Sequence, residues 1–377
     1  MSVWSISSAQ NEARRLQTVI DQGKDPRQLK ADELATKERS RLARETELTA
    51  YVQTQIAESV TLGFAWVEYM KERKPHWGER HYQDHEEVIS AGGEKSKRSK
   101  KLTQPGVLAS LSQIRLVDLT TDIITSWAKT ESEKRAGRAR LAIRLLKAFL
   151  NWCAEHPAYS AIVTINAAKN KKAREQLGKP KTLEDALQKE QLKAWFAAVK
   201  AIGNPVISAY LQSLLLTGAR PSGLASVEWE DLDFQWKQWK IRDKVEGERI
   251  IPLTPYLEFL LSNLPRRNKY VFSSPLKGRG YLSNPQDPFK DACKVAGIEM
   301  TMYGLRRSFA TLSEWIEMPT GIAAQIQGHK PSGVREKHYI RRPLDLLRMW
   351  HVKIEAWILN EAGIKFVPAK AGLRAVA

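Results

Sequence analysis

The chain reads as a mainly α protein with one small β-hairpin or sheet, an α+β unit in the C-terminal half preceded by a separate helical unit. Three observations predict this. Apolar residues recur at helical spacing through much of the chain, as at Leu141, Leu145, Ala148, Phe149 and Trp152. The helical pattern breaks between Asp233 and Leu253, where Phe234, Trp236, Trp239, Ile241 and then Ile250-Ile251 flank Glu246-Gly247; aromatic and β-branched residues around a glycine turn suggest a hairpin. Finally, 377 residues are too many for one compact core, and residues 167–181 are rich in Lys, Asn, Gly and Pro, the composition of an interdomain linker.

In chain order, residues 1–58 are helical and charged. Glu12 to Gln22 is amphipathic and is stopped by Gly23-Lys24-Asp25-Pro26. Arg27 to Ser59 alternates charges with scattered Leu and Ala, an exposed helix or a tether. A first globular unit covers 59–166. Phe64, Trp66, Val67, Tyr69 and Met70 give a helical apolar face ending at Lys74-Pro75, and Trp77 to Ile89 is a second helix. A basic loop, Gly92 to Lys101, follows. Leu119-Thr120-Thr121-Asp122-Ile123 has the form of a helix start. The stripe from Leu141 to Trp152 is expected to be buried, with Arg138, Arg140, Arg144 and Lys147 elsewhere around the helix. After the linker at 167–181, a second unit spans 182–377. Its helices are expected at 190–200, 204–216, 286–297, 305–317 and 320–327. A last amphipathic helix runs through Leu347, Trp350, Ile354, Trp357 and Ile358, and the tail after Ile364 is frayed.

The net charge of +18 and pI near 9.8 suit a polyanionic partner, nucleic acid first and an anionic membrane surface second. There is no 18-residue apolar run for a transmembrane helix and no signal-peptide core at the N-terminus. Two cysteines, Cys153 and Cys293, fit reduced core thiols in a cytosolic protein. His81 and His85 share a helical face near His76, but no acid-and-histidine set accompanies them. They read as surface residues rather than metal ligands, and no cofactor is called for.

The residues that carry chemistry lie in the second unit. They are Thr217-Gly218-Ala219-Arg220, Lys244 in the hairpin, Tyr303-Gly304-Leu305-Arg306-Arg307-Ser308, Gly328-His329-Lys330 and Lys337-His338-Tyr339. Two arginines, a lysine, a histidine and a tyrosine can hold a phosphodiester and attack it with a phenol. The attacked phosphate gains negative charge, up to about two units, and needs fixed cations at its non-bridging oxygens. Arginine donates two parallel hydrogen bonds and stays charged, so Arg220 and Arg306, each expected at a helix start, are chosen. Tyr339 is the candidate nucleophile; a free phenol titrates near ~10, and adjacent guanidinium groups favour its anion. A lysine can protonate the leaving oxygen, and Lys244 is preferred over Lys237 and Lys240.

In order and spacing these segments resemble the catalytic domain of the tyrosine recombinases, the phage integrase family, over residues 182 to 360. The resemblance implies that Arg220, Lys244, Arg306, His329 and Tyr339 are catalytic, with His329 bonding the scissile phosphate. It also shows two departures. Tyr303 stands where the family has a histidine, so it would position rather than act as a base. Gly223 stands where the family has an acid, so a carboxylate brace is missing or comes from Glu228 or Glu230.

The first unit loosely resembles the family's helical core-binding domain, which would close a clamp on duplex DNA with the linker along the phosphates. Lys95, Lys97, Arg98, Lys100, Lys101, Arg138, Arg140 and Arg144 are then candidate backbone contacts, each adding ~0.9 to the salt slope. Residues 13–27 resemble the end of an arm-binding domain whose small sheet is absent, a remnant. The whole implies a site-specific recombinase of a prophage or genomic island, cytosolic, acting as a homotetramer on attachment-site DNA, with an accessory bending or excision factor. The resemblance implies that the last helix docks on a neighbouring protomer; packing within its own chain is the alternative. A DNA-binding regulator that lost cleavage, and a type IB topoisomerase, remain alternatives.

Overall fold

The computed structural model describes residues 5–95, 101–163, 165–243, 247–275, 278–329 and 333–368. The chain divides into two compact units, Met1–Lys181 and Thr182–Ala377.

The first unit opens with two exposed helices. In α1 (Ile6–Asp21) the Ser5 hydroxyl accepts from the Ser8 amide; Gly23, at φ +76°, makes the turn, and the Asp25 carboxylate takes the Arg27 amide at the head of α2 (Pro26–Ser59). Among the described residues neither helix buries a side chain, so local pairs such as Arg15–Glu12 and Gln28–Asp32 support them. The core lies further on, among α3 (Leu62–Arg73), α4 (Glu79–Ile89), α5 (Thr121–Glu155, kinked at Arg135) and α6 (Lys171–Leu177).

Four expectations are corrected in this unit. The buried face of α3 is Leu62, Ala65, Trp66, Tyr69 and Met70, whereas Phe64 and Val67, on the opposite side, are exposed. In α5 the inward stripe runs through Leu145, Leu146, Phe149, Leu150 and Cys153; Ala148 is exposed, because the larger neighbours at 146 and 150 bury more area. His85 is no surface residue: it is fully buried, stacks on Trp77 at 4.0 Å, and burial holds its pKa below the usual range. The 167–181 segment is only in part a linker. Ala167, Ala168, Ala173 and Leu177 are buried in this core, and the Asn170 amide bonds Thr121 O and Thr125 Oγ1, so the Lys-rich composition hid a short packed helix.

The second unit packs α7 (Leu192–Lys200), the almost wholly buried α8 (Pro205–Thr217) and the short α9 (Pro221–Ala225) with a three-stranded antiparallel sheet. Its strands are β1 (Leu232–Asp233), β2 (Gln238–Asp243) and β3 (Gly247–Pro252), with Trp239 opposite Ile251 and Ile241 opposite Arg249. There follow α10 (Pro255–Ser262), α11 (Gln286–Val295), α12 (Met302–Ser313), α13 (Thr320–Gln327), α14 (Val334–His338) and α15 (Leu344–Glu361). Trp195, Tyr210, Trp239, Phe272, Phe289 and Phe309 form the centre of its core.

The last helix packs its apolar face within its own unit. Leu347, Ile354, Ile358 and Leu359 are buried in that core. The buried Glu355 carboxylate accepts from Thr254 Oγ1 and from the Tyr256 and Leu257 amides, capping α10, and His351 Nε2 donates to Leu216 O at 2.9 Å. These polar groups need partners inside the core, and their own chain supplies them.

Candidate active site

Construction of the site begins where α8 ends. Gly218 closes the helix in the left-handed region, at φ +58°. A Cβ there would meet Gln327 Nε2 at 2.6 Å and Phe309 Cβ at 3.0 Å, so glycine allows both the turn and the close approach of α12 and α13. The Gly218 carbonyl accepts from Arg306 Nη1 at 2.7 Å, and Gln327 O accepts from the same nitrogen at 2.6 Å. Gln327, 2% exposed, returns its side-chain amide to Arg306 O at 2.7 Å. Arg306 itself is 8% exposed. It lies one turn inside α12 rather than at its start, so the dipole expected at its own helix end does not apply.

Another helix end does gather the cations. Arg249 Nε reaches Ile326 O at 3.1 Å, Arg306 reaches Gln327 O, and Arg220 Nη1 reaches Gly328 O at 3.4 Å. Three arginines from three elements thus meet three successive carbonyls at the C-terminus of α13, the negative end of its dipole. His329 follows, exposed, with its amide on Ala324 O; the turn depends on Gly328 at φ +76°. Adjacent positions on a helix point apart, and Arg307 accordingly leaves the site. It donates to Asp185, which also takes the Thr301 amide and hydroxyl, each at 2.7 Å, at the head of α12. Burial alone would raise the Asp185 pKa, but these Thr301 and Arg307 bonds hold it below the usual range.

Tyr339 is presented differently. It follows α14, its amide bonds Arg335 O, and its side chain is 79% exposed. Among the described residues no hydrogen bond joins its phenol to Arg220, Arg306 or His329, so the structure does not bring the tyrosine onto the cationic cluster. A bidentate pair, Arg342 to Glu336 with both bonds 2.8 Å, brackets it, and a Cβ on Gly321 would collide with the Arg342 guanidinium. Tyr303, in the first turn of α12, is 51% exposed.

Lys244 lies outside the described residues, between the paired Asp243 and Gly247. The two competing lysines are engaged by carboxylates, Lys237 by Glu258 and Lys240 by Glu248. Gly223 has a steric reason. A Cβ there would meet Arg242 O on β2 at 2.7 Å, so an acid at this position would need β2 to shift. Of the suggested substitutes, Glu228 pairs with Lys269 and Glu230 lies near Arg242.

In the first unit, Lys95 and Lys101 are exposed, while Lys97, Arg98 and Lys100 lie outside the described residues. Arg138 pairs with Glu87, and Arg140 donates to Leu177 O at 2.9 Å. Arg140 and exposed Arg144 line a groove with Lys171, Arg174 and Lys179. The last three went unselected because their segment read as a linker. Gln327, Arg249 and Asp185 also went unselected; Gln327, one residue before Gly328-His329, offered the only positional hint. Among the described residues no cluster suits a metal ion, and no helix is long and apolar enough to cross a membrane.

A helical unit ahead of an α+β unit, with arginines fixed at a helix end, a glycine-turned histidine and a tyrosine just past the next short helix, defines a tyrosine recombinase. Two family models match, the phage integrase core-binding domain over residues 61–175 and the phage integrase family over 185–342. The chain belongs to the phage integrase family. It is 45% identical over 378 residues to the prophage integrase IntF of Escherichia coli K12, covering 96% of this chain and 78% of that one. The fold is similar to a lambda integrase tetramer bound to a Holliday junction (TM-score 0.56, 17% identity, covering 83% of this chain and 90% of that chain). It is also similar to the Tn1549 transposon integrase, residues 82–397, in complex with circular intermediate DNA (TM-score 0.56, 16% identity, covering 77% and 99%).

Proposed function

We propose that this site-specific recombinase cuts and rejoins DNA with Tyr339 as nucleophile and Arg220, Arg306, His329 and Lys244 as its partners. Arg306 and Arg220 hold the non-bridging oxygens of the scissile phosphate and offset the charge that grows during attack. His329 donates a further hydrogen bond to the same phosphate. The Tyr339 oxygen bonds to phosphorus as the bond to the 5′ oxygen breaks, and Lys244 gives that oxygen its proton. The product is a 3′-phosphotyrosine and a free 5′ hydroxyl. Attack by a 5′ hydroxyl of a second duplex reverses the step and returns the phenol. Tyr303 and Gln327 position, Gln327 through Arg306.

The observation that supports this most is the fixing of Arg306 and Arg220 on successive carbonyls beside His329. Double-stranded attachment-site DNA is the substrate, held in part by the groove of Arg144, Lys171, Arg174 and Lys179 and by Lys95, Lys101 and their loop neighbours Lys97, Arg98 and Lys100. Exchange of both strands calls for four protomers on two sites, as the lambda integrase tetramer on a junction suggests by likeness. The protein works in the bacterial cytosol with an accessory bending or excision factor. A nicked suicide duplex of the cognate site tests the reading: a covalent protein–DNA adduct is expected. DNA binding with no adduct would place the chain with regulators that keep the fold and have lost cleavage.

A further inference from the structure

Arg249 occupies a place in β3 where an aliphatic residue is expected. Strand side chains alternate, so Arg249 shares a face with the fully buried Ile251, and its cross-strand partner Ile241 is fully buried as well. From that inward position the side chain leaves the sheet. Its Nε donates to Ile326 O at 3.1 Å, and its guanidinium lies against Gly328: a Cβ there would meet Nη1 at 2.5 Å and Cζ at 2.7 Å. Both terminal nitrogens are buried, so in this arrangement they are withdrawn from solvent. Arg249 therefore bridges two parts of the site, β3, which begins three residues after Lys244, and the turn that carries His329.

We propose that Arg249 is a positioning residue that ties the β2–β3 hairpin, and with it the acid that protonates the leaving 5′ oxygen, to the Gly328–His329 turn that holds the phosphate. This rests on the roles proposed above for Lys244 and His329. An arginine suits the task because its rigid fork bonds in a fixed direction while its stem packs against the sheet.

The test uses the full chain and two suicide duplexes, one ordinary and one with sulfur in place of the bridging 5′ oxygen. A thiolate leaves without a proton, so the second substrate removes the need for the acid. R249A is expected to form adduct at least about 10-fold more slowly than the parent on the ordinary duplex and within about 3-fold of it on the sulfur duplex. R306A, which acts on the phosphate, should be slow on both. R249K keeps a charge but only a point donor; it should show a smaller defect with the same rescue, and it replaces R249A if that variant melts early. Equal slowing on both duplexes, or no slowing on the ordinary one, overturns the proposal. K244A separates this from the reading beneath it. Sulfur rescue of K244A but not R249A leaves Lys244 as the acid and removes the tie. Rescue of R249A but not K244A keeps the tie and moves the acid to another hairpin group.

Discussion

Arg306 and Tyr339, the two groups proposed to act on one phosphate, are held in opposite ways. Arg306 is 8% exposed and locked by two carbonyls and a glutamine; Tyr339 is 79% exposed and held through its neighbours. The difference follows from what each must do. A group that stabilises developing charge works best when it does not reorganise, and a buried arginine with fixed acceptors meets that condition. A nucleophile that joins itself to DNA has to be reached, and an exposed phenol just past a short helix can be.

The largest effect should come from the fixed partner. Arg306→Ala removes charge from the phosphate and leaves Gly218 O and Gln327 O without their donor. Adduct formation should fall about 10²- to 10³-fold and stability by ~1–3 kcal/mol, read by suicide substrate and thermal melt. A preserved rate would show that the cluster is structural. Gln327→Ala removes only the brace. It should cost about 10-fold in rate, with a smaller loss of stability, and a loss equal to that of R306A would mean Gln327 does more than position.

The exposed partner should respond without a stability change. Arg342→Gln opens the clasp around Tyr339, so the adduct rate should shift by several-fold while the melting temperature stays within about 2 °C. A large drop in melting temperature would instead make the clasp part of the core.

The smallest effect concerns pH. Burial pushes the Glu355 carboxyl up to about 7 against the pull of Thr254, Tyr256 and Leu257, and it pushes His351 down to about 4. Between pH 4.5 and 7 the folded chain keeps a proton on Glu355 that the unfolded chain releases, so stability from this residue falls as pH rises. Between pH 4 and 6.5 the unfolded chain takes a proton that buried His351 refuses, so stability from that residue rises with pH. The two oppose each other. Glu355→Gln should therefore make the melting temperature climb more steeply from pH 4.5 to 6.5 than in the parent; an unchanged slope would mean Glu355 does not hold its proton there.

Much of this was legible in the sequence, for identifiable reasons. Helix ends were marked by Gly23 and Thr120, which act locally. The hairpin declared itself by its aromatic and β-branched residues around a glycine turn. Long-range contacts left no such mark. Asp185 caps α12 from 116 positions away, Glu355 caps α10 from α15, and Arg249 reaches a turn 77 residues on. The last helix reads as amphipathic whether it packs on its own chain or another. Only the partners waiting for Glu355 and His351 decide that it packs at home. Gly223 reads as a lost acid until β2 is seen running against it.

The most direct test of Tyr339 as the group that joins itself to DNA is to digest the trapped adduct and locate the DNA-bearing residue by mass spectrometry. The nucleotide should be found on Tyr339, with Tyr339→Phe binding DNA as the parent does and forming no adduct. DNA carried on Tyr303, or an adduct from the phenylalanine variant, would contradict it.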